Sequence, residues 1–234
     1  MKKDFLTLES NLASNAEGWE KFYSKPNPWG YVGDFNDRIR NQIMINLVRW
    51  SKREKALDMA CGEGSLTKAL SPYVKSIKAF DISSRAIESA KKNFAADNIE
   101  YFQQDMKEFT SKMGTFDLIT CAEVIYYLQP KEIEKVFCEV QKSLAEGGYF
   151  VLTTRTDYWF GFEEFVEKLQ EHFTIVTIVP VWRPDNIFFK AVKRAFSIFS
   201  PFLDRVYRSW LLSIDPRKPG MCAYVCMGLA AMTT

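Results

Sequence analysis

From residue 55 onward the chain alternates short apolar runs with helical periods, and this alternation narrows the choice of folds more than any other feature. ALDMA (56–60), SIKAFDI (76–82), IEYFQQ (99–104), FDLITCA (116–122) and GYFVLTT (148–154) have the length and composition of strands. Between them, Ser65–Leu70, Ser84–Ala95 and Pro130–Leu144 repeat apolar residues at helical spacing, so each presents one face for burial. Strands that alternate with helices need crossover connections, which give a parallel sheet covered on both faces. Further on, FEEFVEKLQ reads as a helix, FTIVTIVPV as a strand and GMCAYVCMGL as a last strand.

The 234 residues, 47% of them hydrophobic, suffice for one large α/β domain. A net charge of +2 and a pI near 8.2 lack the electrostatic footprint of a nucleic-acid binder. The start, MKKDFLTLES, has no apolar leader core, and nowhere is there an apolar run of about 18 residues. A cytoplasmic protein is expected. Its five cysteines, at 61, 121, 138, 222 and 226, are odd in number and scattered, which fits reduced thiols. Cys222 and Cys226 share one face of a strand, a weak metal signal with no histidine nearby.

Residues 57–64 read LDMACGEG, a strand that ends on two glycines and enters a helix. Such a turn lets a ligand approach backbone N–H groups at a helix N-terminus, because glycine has no Cβ in the way. A tight turn without a ligand is the plainer alternative. A dinucleotide fingerprint would need a third glycine, but Lys68 lies beyond the pair, and a Walker loop would need G-K-[ST]. Asp81 ends the second strand, Asp105 follows the third, and Glu123 follows the fourth. Polar groups at the carboxyl ends of successive strands form the crevice in which open α/β sheets bind ligands.

The ordered set LDMACGEG, AFDIS, QQDM, FDLITCAEVIYYL and SLAEGGYFVLTTR, over about residues 55–155, resembles the class I S-adenosylmethionine-dependent methyltransferases. The resemblance implies a bound S-adenosylmethionine, leaving as S-adenosylhomocysteine. Gly62 and Gly64 would let the backbone pass its methionine part, Asp81 with Ile82 would hold the ribose, and Asp105 with Met106 would meet the adenine. Ala122 and Glu123 would flank the cofactor, with Asp58, Ala60 and Cys61 supporting the loop. Ala60 stands where that family usually has glycine. The upstream WEKFYSKPNPWGY is similar to the segment before the core of the rhizobial nodulation N-methyltransferases. By that likeness Trp29 and Tyr31 belong to a lid, and Arg38 or Arg40 pairs with the methionine carboxylate; simple packing of the aromatics on the sheet is the alternative.

The expected fold is thus a doubly wound, Rossmann-like α/β sheet of seven mostly parallel strands with a final antiparallel strand, helices on both faces. Residues 1–50 are read as a helical lid segment, with a helix expected over 37–50, and 51–234 as the methyltransferase domain. An insertion at 181–219 carries aromatic residues on one helical face and basic residues on another; from 188 to 212 it has five basic residues against one acidic. A lid or dimer contact, a membrane-surface helix and direct nucleic-acid contact compete for it. Methyl transfer mainly requires orientation of the acceptor and exclusion of water. Glu123, Tyr126 and Tyr127 are the candidate catalytic residues, with Arg155 and Asp157 nearby. His172, the single histidine, precedes a strand on the edge away from the crevice and is read as a surface or capping residue. No metal is suggested. The expected acceptor is a small molecule or glycan, amine slightly favoured over hydroxyl, handled by a monomer or homodimer. The alternatives are a non-catalytic cofactor-binding subunit, or transfer to a lipid-linked, RNA or protein acceptor.

Overall fold

The computed structural model describes residues 16–30, 35–49, 53–155, 162–181 and 224–231. Two N-terminal helices, α1 (Ala16–Phe22) and α2 (Phe35–Val48), precede β1 (Arg53–Met59), α3 (Ser65–Leu70), β2 (Val74–Asp81), α4 (Ser84–Asn93) and β3 (Ile99–Gln103). Then come β4 (Phe116–Ala122), α5 (Pro130–Ser143), β5 (Leu144–Arg155), α6 (Phe162–Gln170), β6 (Phe173–Val181) and β7 (Tyr224–Ala231). The sheet order is β3-β2-β1-β4-β5-β7-β6. The first five strands of that order pair in parallel, and β7 runs antiparallel to both β5 and β6. The order reverses at β1, where the chain winds one way to β2 and β3 and then returns to β4. That reversal opens a crevice above the carboxyl ends of β1 and β4.

Central strands are buried on both faces, and their alternation assigns each residue a layer. Leu57, Met59, Ile119, Cys121, Phe150 and Leu152 pack toward α5 and α6, against Ile133, Val136, Phe137, Phe165 and Leu169. Ala56, Ile77, Leu118 and Val151 pack the other way, against Met44, Ile45 and Val48 of α2 and Leu66 and Leu70 of α3. A fully buried aliphatic or Phe side chain contributes about 1.5–3 kcal/mol, so these two layers fix the strand ends as a rigid platform. The helix α4 starts on Ser83, whose hydroxyl accepts the Ala86 N–H, and α5 starts on Gln129 with Pro130 in its first turn.

The strand β5 begins at Leu144, earlier than the GYFVLTT run suggests, and its pairing with β4 shifts register between Phe116 and Leu118. Gly147 there has φ +68, which permits the kink in an otherwise continuous strand. His172 is 7% exposed, where a surface position was expected. It is buried because the turn after α6 drives it under Phe137 and Phe173, with ring centroids 5.9 and 6.0 Å away. Among the described residues no helix is long and apolar enough to cross a membrane. Residues 182–219 of the insertion lie outside the described residues, as do Tyr31, Asp157 and Cys222.

Candidate functional site

The loop after β1 is built around two carboxylates. Asp58 is 1% exposed at the end of β1, and its two oxygens accept the hydroxyls of Thr67 (2.5 Å) and Thr120 (2.7 Å). It thereby ties β1, α3 and β4 together beneath the loop. Burial pushes its pKa up to about 6 even though both hydroxyls and the charge of Arg40 act against it. Asp81, at the end of β2, accepts N–H from Gly62 (2.9 Å) and from Ser83 (3.0 Å). Its pKa is likewise pushed up to about 6 by burial, against those two donors. Asp81 therefore holds the loop and the start of α4 in register while keeping lone pairs over the strand ends.

Loop geometry follows from backbone conformation. Ala60, Gly62 and Gly64 all have positive φ, at +53, +54 and +88. The Cys61 N–H donates to Phe80 O and the Gly64 N–H to Cys61 O, so the turn closes on itself. Left-handed backbone costs a residue with a Cβ about 1–2 kcal/mol, which explains why glycine suits position 60. An Ala60→Gly variant is expected to gain about 0.5–1 kcal/mol after the added unfolded-state entropy is subtracted, read as a rise of roughly 1–4 °C in melting temperature. Burial raises the Cys61 thiol pKa well above its ordinary value, so it is a neutral packing group.

A cleft open to solvent lies over these strand ends. Of the residues singled out in the sequence, Trp29, Asp58, Ala60, Cys61, Gly62, Asp81, Ile82, Asp105, Met106, Ala122, Glu123 and Tyr127 line it. Asp105 accepts the Lys107 N–H (2.9 Å) and so caps a single 3-10 turn that begins at the buried Met106. Glu123 has φ +57, and its N–H donates to Thr153 O (3.0 Å), which turns the chain away from β4 and points this residue into the cleft.

Three expectations are relocated. Gly64 is buried behind the loop, where a Cβ would lie 2.7 Å from the Tyr101 hydroxyl; it serves close packing and does not line the cleft. Tyr126 is buried behind the wall and donates toward Glu123 Oε2 at 3.4 Å. Arg38 is exposed and points elsewhere, because two residues along a helix turn the side chain by about 200°. Arg40, the other arginine considered, lines the cleft.

Sequence reasoning missed Trp19, Tyr23 and Glu63. Trp19 sits edge-on to Tyr127 (5.0 Å between centroids) and 6.1 Å from Trp29, whose Nε1 donates to the Tyr23 hydroxyl (3.1 Å). Two carboxylates dock this aromatic cover. Glu20 of α1 accepts from the Ser83 hydroxyl (3.2 Å) and the Ser84 N–H (2.5 Å) at the start of α4. Burial alone would raise the Glu20 pKa, but those donors outweigh it and the net shift is downward. Glu63 Oε1 accepts the Asn27 N–H (3.3 Å) and the Ser89 hydroxyl (2.9 Å), so the turn after α1 is tied to the glycine loop itself. The spacing of Trp19, Phe22 and Tyr23 was the available signal, since three and four residues apart is one face of a helix.

The profile of the methyltransferase domain family matches residues 56–148, the stretch that supplies β1 to β4 and the loops just described. Over this stretch, which is less than half of the chain, the protein is similar to methyltransferases. The chain is 28% identical over 133 residues to nodulation protein S of Sinorhizobium fredii, a match covering 56% of this chain and 61% of that protein. It is 34% identical over 107 residues to the mitochondrial ubiquinone biosynthesis O-methyltransferase of Schizosaccharomyces pombe, covering 43% of this chain and 38% of that one. The alignments thus span less than two thirds of either relative. In three dimensions the chain overlays the N-methyltransferase NodS of Bradyrhizobium japonicum in complex with S-adenosylhomocysteine. There the TM-score is 0.67 and the identity 25%, over 73% of this chain and 91% of that one.

Proposed function

We propose that this protein transfers the methyl group of S-adenosylmethionine to a small-molecule or glycan-type acceptor, with an amine favoured over a hydroxyl. The observation that carries the reading is Asp81. Its carboxylate receives the Gly62 N–H at 2.9 Å and borders the cleft, so one group both shapes the loop and offers acceptor lone pairs to a ribose. In this assignment the backbone around Ala60–Gly62 passes the methionine part, Ile82 supports the ribose, and Asp105 with Met106 bounds the adenine. Arg40 faces the methionine carboxylate. Within residues 1–50, α1 and the turn after it act as the lid, of which Trp19 and Trp29 form the inner surface, while α2 packs on the sheet.

The sulfonium supplies an electrophilic methyl and a good neutral leaving group, so the protein need only aim the acceptor and keep water out. Glu123 and Tyr127 flank the cleft beside Ala122 on the side away from Asp105, where an acceptor would enter. A carboxylate with an aromatic face beside it suits an amine, which needs a partner for its charge and a free lone pair at the moment of transfer. The nodulation proteins among the relatives favour the amine, and the quinone O-methyltransferase keeps the hydroxyl as the competing acceptor.

The test is transfer of labelled methyl from S-adenosylmethionine into an extract of the source cell, followed by fractionation. Label in the water-soluble fraction supports the proposal; label confined to lipid or macromolecules overturns the acceptor class, and none at all overturns transfer.

A pH dependence follows from Asp81. Its pKa near 6 means that it is ionised above that pH, and the carboxylate accepts from both ribose hydroxyls in charge-assisted bonds, whereas the protonated acid accepts far more weakly and turns one oxygen into a donor. Affinity for S-adenosylhomocysteine is therefore expected to be full above about pH 7 and to fall as pH drops through 6, to about a tenth by pH 5. Calorimetric titration at several pH values checks this; a flat profile would contradict it.

A further inference from the structure

Away from the cleft, three potential metal ligands of different chemistry converge. Glu134 and Cys138 lie four residues apart on one face of α5, and His172 stands just before β6. The ligand atoms, a carboxylate oxygen of Glu134, Cys138 Sγ and a ring nitrogen of His172, all lie within 4.8 Å of one another. His172 Nε2 is 2.7 Å from Glu134 Oε1. None of the three residues lines the cleft.

We propose that Glu134, Cys138 and His172 form a zinc-binding site that clamps α5 to the start of β6. A tetrahedral ion with bonds of about 2.0–2.3 Å holds its ligand atoms about 3.3–3.6 Å apart, so loading requires the Glu134–His172 contact to open by several tenths of an ångström and the wider spacings, up to 4.8 Å, to close by as much as about an ångström. A borderline-soft ion suits one thiolate, one imidazole and one carboxylate, whereas magnesium or calcium would prefer oxygen alone. On binding, Cys138 gives up its thiol proton to solvent, and His172 presents the Nε2 lone pair with its ring proton on Nδ1. Water completes the fourth position.

The surroundings fit the role. Phe137 and Phe173 wall one side of the imidazole, so the ion would sit partly in a low-dielectric setting. The Glu134 side chain is 45% exposed against 9% for His172, which leaves an open approach on the carboxylate side. A histidine held only for packing needs one hydrogen-bond partner; the additional thiol at the same point is what metal binding explains. This inference is independent of the methyl-transfer reading.

The full chain, reduced with a non-thiol reagent and stripped by a chelator, is titrated with zinc against a chromophoric competitor and separately with cobalt. One equivalent of zinc is expected, with a rise in melting temperature of roughly 5–10 °C at a hundredfold excess over Kd. A thiolate-to-cobalt charge-transfer band is expected in the near ultraviolet. Cys138→Ala should weaken zinc at least about thirtyfold and abolish the band, and His172→Asn should weaken zinc comparably. Near-ultraviolet circular dichroism of each variant confirms that it is folded. Absence of stoichiometric zinc in the parent protein would overturn the proposal. So would a band that survives in Cys138→Ala, which would place the ion on other cysteines.

Discussion

Asp81→Ala is expected to weaken S-adenosylhomocysteine binding at least about a hundredfold in calorimetric titration. Hydrogen bonds to a charged group contribute roughly 1.5–3 kcal/mol each, and a ribose offers two hydroxyls to one carboxylate. The variant also releases the N–H groups of Gly62 and Ser83, so the loop loses one of its ties to β2. Asp81→Asn separates the two effects. An amide keeps an acceptor for one N–H but meets the other with a donor and carries no charge, so an intermediate loss of about tenfold is expected. Affinity within threefold of the parent for Asp81→Ala, in a variant that still melts cooperatively, would remove Asp81 from the binding site.

Gly64→Val carries the largest expected cost to stability, about 3–5 kcal/mol by urea denaturation. Part is conformational: φ +88 lies in the left-handed region, which a β-branched residue tolerates poorly. The rest is steric, since even a Cβ would stand 2.7 Å from the Tyr101 hydroxyl and 3.0 Å from Ala90 Cβ. Tyr101 cannot yield freely, because its hydroxyl donates to Phe94 O at 3.1 Å. In a Tyr101→Phe background the penalty should shrink by about 1 kcal/mol, and additive losses would show that Tyr101 is not the obstacle.

Where local chemistry sets an element, the sequence was a good guide. Asp81 and Glu123 stand at strand ends because apolar runs stop there, and α3 and α6 match the windows drawn from spacing alone. The Rossmann-like class followed from the alternation of such runs. What could not be read are contacts between distant segments. The tie from Glu20 to α4 spans more than sixty residues, and nothing in AEGWEKF announces that its glutamate will meet a particular helix start. His172 was misplaced for the same reason, since its partner Glu134 belongs to a helix 38 residues earlier. The packing of Gly64 against Tyr101 was not legible either, because a glycine that admits a ligand and one that admits a neighbouring tyrosine look alike in a sequence.

The aromatic cover of the cleft has a practical consequence. Among the described residues the tryptophans are Trp19 and Trp29, and both border the cleft. A purine nucleoside arriving there would change the polarity around two indoles and offer them a quencher. Intrinsic emission excited in the ultraviolet thus gives this molecule a built-in optical reporter of occupancy, and substituting either indole with phenylalanine would tell which one reads the ligand.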